Sequence, residues 1–97
     1  MKKLFVYGTL KNPEIQKSIF GRIAQSSPDV LQGYTRSKIR IDKIYPIIIK
    51  KRGKFVRGLV ISVNPKELKL IDKYETNSYK RQKVALKSGT NAQVYTR

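Results

Sequence analysis

VYGTLKN, residues 6 to 12, decides how the rest of this chain is read. A strand-like run, Leu4-Phe5-Val6-Tyr7, ends at Gly8, and Thr9-Leu10-Lys11 leads straight into Asn12-Pro13-Glu14, which has the composition of a helix start. Asn12 is a good N-cap, and proline suits the first helical turn, where its missing N–H would have no intrahelical partner. Ile15, Ile19 and Ile23 recur at helical spacing, which predicts a helix over residues 13 to 24. The segment reads as strand, glycine-containing turn, amphipathic helix. Such a turn can aim successive backbone N–H groups at a carboxylate or an oxyanion. It is also a routine connection, and it lacks the glycine-rich spacings of dinucleotide-binding and P-loop sites.

Outward from this start, Ser26-Ser27-Pro28-Asp29 reads as a loop. Gly33-Tyr34 to Ile41, Tyr45 to Lys51 and Phe55 to Val63 are short runs rich in β-branched and aromatic residues, separated by turn residues such as Gly53, and they predict a meander. Tyr45-Pro46 marks a strand start or edge, because proline cannot donate to a ladder, and Gly58 permits a bend or a close backbone approach. Asn64-Pro65-Lys66-Glu67 starts a second helix, with Asn64 as cap and Glu67 placed to reach back to its amide. That helix is expected to run to Tyr74 or Glu75, and two closing strands, Gln82 to Lys87 and Ala92 to Thr96, flank the turn-rich Ser88-Gly89-Thr90-Asn91. The order predicts one α+β domain over residues 1 to 97, its mixed sheet curling toward a small barrel flanked by two short helices.

The composition removes several classes of chemistry. With no cysteine and no histidine, disulfides and thiolate or imidazole metal sites are excluded, which argues against a transition-metal enzyme, and no cofactor is expected. No segment approaches the ~20 apolar residues of a membrane span, so the expectation is a soluble, cytoplasmic chain without a membrane partner. Lys and Arg number 22 against 6 Asp and Glu, a net charge of +16 that draws anions of any kind to the surface.

The second helix holds an anomaly. Leu68 and Ile71 mark its apolar stripe, and Glu75 lies seven and four residues beyond them, on the same side, whereas Lys66, Lys69 and Lys73 occupy another. A carboxylate turned toward an apolar interior has its charged form disfavoured and its pKa raised, which suits it to general acid and base work near neutral pH. The alternative is a Glu75 beyond the helix end and solvated. Arg81 is placed to pair with Asp72, with Glu75 or with a ligand, and pairing with Glu75 would lower that pKa.

VYGTL near the start, Tyr45-Pro46, Val56-Arg57-Gly58-Leu59-Val60, Leu70-Ile71-Asp72-Lys73-Tyr74-Glu75, Tyr79-Lys80-Arg81 and Ala92-Gln93-Val94-Tyr95 come in an order that resembles the γ-glutamylcyclotransferase-like, or AIG2-like, family. The resemblance runs from residue 4 to residue 96. It implies a small β-barrel with a pocket at its mouth, and an enzyme that closes the γ-glutamyl group of a γ-glutamyl amine or amino acid to 5-oxoproline. By motif position it implies Glu75 as the catalytic acid and base. Tyr7, Gly8, Thr9 and Leu10 would form the turn that binds a small anionic γ-glutamyl substrate, and Tyr79 would line the pocket.

The rival class is a binding module of the same fold without turnover. Lys50-Lys51-Arg52-Gly53-Lys54 and Tyr79-Lys80-Arg81-Gln82-Lys83 set cations beside tyrosines, a composition suited to nucleic acid through phosphate contacts and base stacking. The same residues also read as a plain solvated basic surface, and no recognised nucleic-acid motif accompanies them.

Overall fold

Leu4-Phe5-Val6-Tyr7 has no polar position, and a strand without alternation is one buried on both faces. The computed structural model, which describes residues 1–41, 45–75 and 80–96, puts this run at the centre of the molecule. The elements are β1 (Lys2–Val6), one turn of 3₁₀ helix (Thr9–Lys11), α1 (Pro13–Phe20), β2 (Ser26–Ile41), β3 (Tyr45–Val63), α2 (Pro65–Glu75), β4 (Lys80–Ala85) and β5 (Asn91–Thr96). The five strands form one mixed sheet in the order β2-β3-β1-β5-β4. Within it, β1 runs antiparallel to β3 and parallel to β5.

Leu4 and Val6 point to the helical side, where Ile61, Val63, Leu68, Ile71 and Tyr95 are buried and Ile15 and Ile19 pack against them. Phe5 and Tyr7 point to the opposite face, into a second cluster with Leu31, Ile48, Val56, Leu86 and Val94. That second cluster draws on both margins of the sheet, so the sheet curls around it. At the closest approach of the margins the Lys87 N–H donates to Val30 O at 2.9 Å and Ser88 Oγ to Asp29 Oδ2 at 2.6 Å. Among the described residues no ladder joins β2 to β4, so the expected barrel is an open, curled sheet whose margins meet through side-chain packing and these hydrogen bonds rather than a continuous ladder.

Four boundaries differ from the sequence expectation, the simplest being β4, which runs Lys80–Ala85 rather than Gln82 to Lys87. The predicted loop at Ser26-Ser27-Pro28-Asp29 is the start of β2, paired with Gly58–Ile61, and Pro28 is tolerated because β2 is an edge strand. The two runs on either side of Gly53 belong to the single strand β3. Its register against β2 jumps from Gln32↔Phe55 to Tyr34↔Lys50, and Gly33 and Gly53 take φ of 82° and 80° in the bulge between. The first helix stops at Phe20 because Gly21 adopts the left-handed cap, φ 81°, and its N–H closes on Lys17 O at 2.9 Å. Ile23 is thereby cut off from the helical stripe and lies 59% exposed.

Both helix starts form as the local chemistry dictates. Asn12 Oδ1 accepts from the Glu14 N–H at 2.8 Å. At α2 the Asn64 N–H donates to Glu67 Oε1 at 2.9 Å, and the Glu67 N–H donates to Asn64 Oδ1 at 2.7 Å, a reciprocal box. The same Glu67 carboxylate, buried, takes a two-pronged bond from Arg22 at 2.6 and 2.7 Å, and those bonds hold it below the usual carboxylate range. Gly58 permits the close approach expected of it: a Cβ there would meet Val6 O at 2.4 Å and Phe5 Cζ at 2.7 Å.

Candidate active site

The 3.6-residue repeat that buries Leu68 and Ile71 carries Glu75, the last residue of α2, to the same side, where it is partly buried. Burial first, and the neighbouring Asp72 carboxylate second, push Glu75 up to about 7 from an ordinary 4.5. The solvated alternative for Glu75 is set aside by that environment. Arg81 takes the first of the partners open to it: Nε pairs with Asp72 Oδ1 at 2.8 Å, and Nη1 donates to Gln93 Oε1 at 2.7 Å. Among the described residues nothing hydrogen-bonds to Glu75, and none of the described cations holds it in the charged form.

The turn after β1 lies against this end of α2. Thr9 Oγ1 and the Tyr74 hydroxyl are 2.9 Å apart, and the Tyr95 hydroxyl donates to Asp72 Oδ1. Tyr7 closes the circuit by donating from its hydroxyl to Tyr95 O at 2.7 Å, across 88 residues of sequence. Burial, then the bond to Asp72, pushes the Tyr95 hydroxyl well up, so it stays a donor across the physiological range. In the turn itself Gly8 O accepts from Lys11 N at 3.1 Å and Thr9 O from Asn12 N at 3.0 Å. The N–H groups of Gly8, Thr9 and Leu10 have no acceptor among the described residues, as expected for the opening amides of a helical turn. Gly8 has φ −125°, so the position is not a left-handed one.

The residues singled out in the sequence thus divide. Glu75, Thr9 and the Gly8–Leu10 amides lie at one end of α2. The Tyr7 ring is buried and its hydroxyl is spent on Tyr95 O, and the Leu10 side chain is buried in the helical-side cluster, so Leu10 has only its backbone to offer a ligand. Tyr79 lies outside the described residues. Sequence reasoning did not assign Tyr74 its place beside Thr9, nor Tyr95 its bond to Asp72. It also missed Arg36, whose guanidinium lies 5.6 Å from the centre of the Tyr7 ring. A local signal existed for Tyr74, one position before Glu75 on the same helix; for Tyr95 and Arg36 the partner is distant in sequence. A groove lined by Lys2, Lys3, Lys83 and the Gly89–Gln93 segment lies at the other end of β1 and contains no carboxylate.

Residues 4–97 match the family model described as gamma-glutamyl cyclotransferase, AIG2-like. The chain belongs to that family. Among its relatives, AIG2-like protein C of Arabidopsis thaliana is 33% identical over 86 residues, covering 84% of this chain and 47% of the relative. Protein AIG2 C of the same plant is 38% identical over 79 residues, covering 80% of this chain and 47% of the relative. The chain therefore spans about half the length of these relatives. A solution structure of an Arabidopsis thaliana protein superimposes with a TM-score of 0.85 at 32% identity, over 98% of this chain and 61% of that one. A solved gamma-glutamyl cyclotransferase shares the fold, with a TM-score of 0.77 at 19% identity over 98% of this chain and 65% of its own. In family terms the fold is α+β, a five-stranded mixed sheet with two helices. Among the described residues no helix is long and apolar enough to cross a membrane.

Proposed function

We propose that this family member is a γ-glutamylcyclotransferase-type enzyme that cyclises the γ-glutamyl group of a γ-glutamyl amine or amino acid to 5-oxoproline and releases the amine, with Glu75 as general acid and base. The observation that carries the reading is Glu75 itself: a partly buried carboxyl without a cation partner among the described residues, pushed up to about 7, at the end of the helix whose Tyr74 hydroxyl meets Thr9 of the Tyr7–Leu10 turn. At neutral pH such a group is divided between its charged and neutral forms, the condition under which one side chain both takes and returns a proton.

The chemistry follows from that property. Glu75 takes a proton from the substrate's α-ammonium, the freed amine attacks its own γ-carbonyl carbon, and a C–N bond forms as the carbonyl oxygen gains negative charge. Collapse of this intermediate breaks the bond to the departing nitrogen, which Glu75 protonates. Over the whole cycle the α-nitrogen sheds two protons and the departing nitrogen gains two, so a group that alternates between carboxylate and acid suffices. Attack within one molecule needs no second reactant to be positioned. The Gly8, Thr9 and Leu10 amides are the donors in reach of the substrate carboxylate or the oxyanion.

Release of 5-oxoproline from a panel of γ-glutamyl amines and amino acids tests the proposal with the parent protein and Glu75→Gln. The expected result is turnover by the parent, reduced ~10²- to 10⁴-fold in the variant. Equal turnover removes Glu75 from the mechanism, and none by either protein favours a non-catalytic binding module. One observation supports that second reading: Lys50, Lys51, Arg52 and Lys54 are exposed, next to an exposed Phe55 ring with the Arg57 guanidinium 5.6 Å from its centre.

A further inference from the structure

Glu75 forms no hydrogen bond among the described residues, whereas Asp72, one helical turn earlier on α2, is tightly held. A single oxygen, Asp72 Oδ1, accepts from the Tyr95 hydroxyl of β5 and from Arg81 Nε of β4, the latter at 2.8 Å. Arg81 is fixed in turn by its bond to Gln93 Oε1 on β5 at 2.7 Å, and Arg81 pairs directly with Tyr95 in the β4–β5 ladder. Residues three apart on a helix have Cβ atoms ~5–6 Å apart, so Asp72 and Glu75 are close like-signed neighbours. Two strands and a helix thus converge on one carboxylate that contacts Glu75 only through its field.

We propose that Asp72 is a positioning residue that raises the basicity of Glu75 beyond what burial alone gives it, and that Arg81, by pairing with Asp72, sets how much of the Asp72 charge Glu75 feels. The groups around Asp72 and the end of α2 divide by element. α2 supplies Asp72, Tyr74 and Glu75 itself; β5 supplies the Tyr95 hydroxyl, which donates to Asp72 and stays neutral; β4 supplies Arg81, bound to Asp72; the turn supplies Thr9, which meets the Tyr74 hydroxyl and does not titrate. Among the described residues Asp72 is the negative charge that pushes Glu75 up, and Arg81, paired with Asp72, offsets that charge, so the two act in opposite directions. The arrangement makes a chemical demand on the ligand as well. A substrate ammonium arriving at Glu75 enters the field of two carboxylates, which favours a cationic amine over a neutral one at that point. The catalytic consequence rests on the reading of Glu75 as the acid and base; the electrostatic coupling does not.

The test is a carbon-detected NMR titration of the Glu75 side-chain carboxyl in the full chain, comparing the parent with Asp72→Asn and Arg81→Gln. Asp72→Asn should lower the Glu75 midpoint by about one pKa unit, and Arg81→Gln should raise it by about half a unit, since Arg81 acts at longer range. Opposite movements cannot come from a general loosening of the fold, which would send both midpoints toward the value of a solvated glutamate. An unmoved midpoint in Asp72→Asn, or a lowered one in Arg81→Gln, overturns the proposal. Arg81 is partly exposed, so its variant keeps the test open should Asp72→Asn fail to fold. If the midpoints move as stated but none of the proteins releases 5-oxoproline, the coupling stands and the proposed function falls. If the midpoints move as stated and 5-oxoproline is released while the acidic limb of kcat/KM ignores both substitutions, the coupling stands and its catalytic consequence falls.

Discussion

Replacing Glu75 by glutamine should make the protein more stable at neutral pH, because the substitution removes a charge that the fold keeps in an unfavourable place. Burial, and next Asp72, push the folded-state pKa up to about 7 from 4.5, a difference of about 2.5 units between folded and unfolded chains. Each unit is worth ~1.4 kcal/mol, so the penalty reaches ~3.4 kcal/mol when Glu75 is ionised in both states, and ~3 kcal/mol at pH 7. Glu75 is only partly buried, so solvent screening and local relaxation reduce the expected gain to ~2 kcal/mol. The direction in pH follows from the raised pKa. Below pH ~4 the carboxyl carries its proton in both states and the substitution gains nothing; the gain grows as pH rises through the unfolded value and levels off above 7. Urea denaturation of parent and variant at pH 4, 5.5, 7 and 8 measures this directly, and for a chain of this size 1 kcal/mol corresponds to ~4–8 °C in Tm. A variant less stable than the parent at pH 7, or a difference that does not change with pH, would refute the reasoning and make Glu75 a paired structural carboxylate.

Gly58→Ala should destabilise the fold by ~3 kcal/mol or more, since the added methyl would lie 2.4 Å from Val6 O in the central strand and neither backbone can yield without breaking the β1–β3 ladder; thermal melts check it. Mixed-sequence RNA should bind weakly at physiological salt, with log K falling by ~0.7 per phosphate contacted as log salt rises; tight salt-resistant binding, lost when Lys50, Lys51 and Arg52 are changed together, would favour the binding-module reading.

What could be read in the sequence is what is settled within one turn or one element. Asn64 and Glu67 cap α2 because the partners are three residues apart, and Glu75 falls beside Ile71 because a helix repeats every 3.6 residues. The central place of β1 follows from four apolar residues in a row. What escaped was settled by a neighbour distant in the chain. Pro28 reads as a loop residue until β2 is known to be an edge, and Gly53 reads as a turn until the register on both sides of the bulge is seen. Arg22 sits in the segment predicted as helix, yet its bond is to Glu67, 45 residues away, and Gly21 had to end α1 to release it. The site was legible to the same degree. Glu75 and the turn carry local signals, whereas the bond from Tyr95 to Asp72 exists only because the last strand lies in parallel beside the first.

That parallel pairing also fixes when in the life of a polypeptide the site can exist. The ribosome delivers β1 and its turn ahead of the other elements of this domain, but the strand that flanks β1 and supplies Tyr95 is not made until residues 91–96. Until then β1 has one side unpaired, Tyr7 lacks the carbonyl its hydroxyl requires, and Asp72 lacks the tyrosine that holds it. Local helices can form early, but a contact spanning 88 residues waits for the chain to close its longest loop. A nascent or prematurely terminated chain therefore carries Glu75 in sequence without the surroundings that give it its chemistry, and the whole domain must emerge before any of it can act.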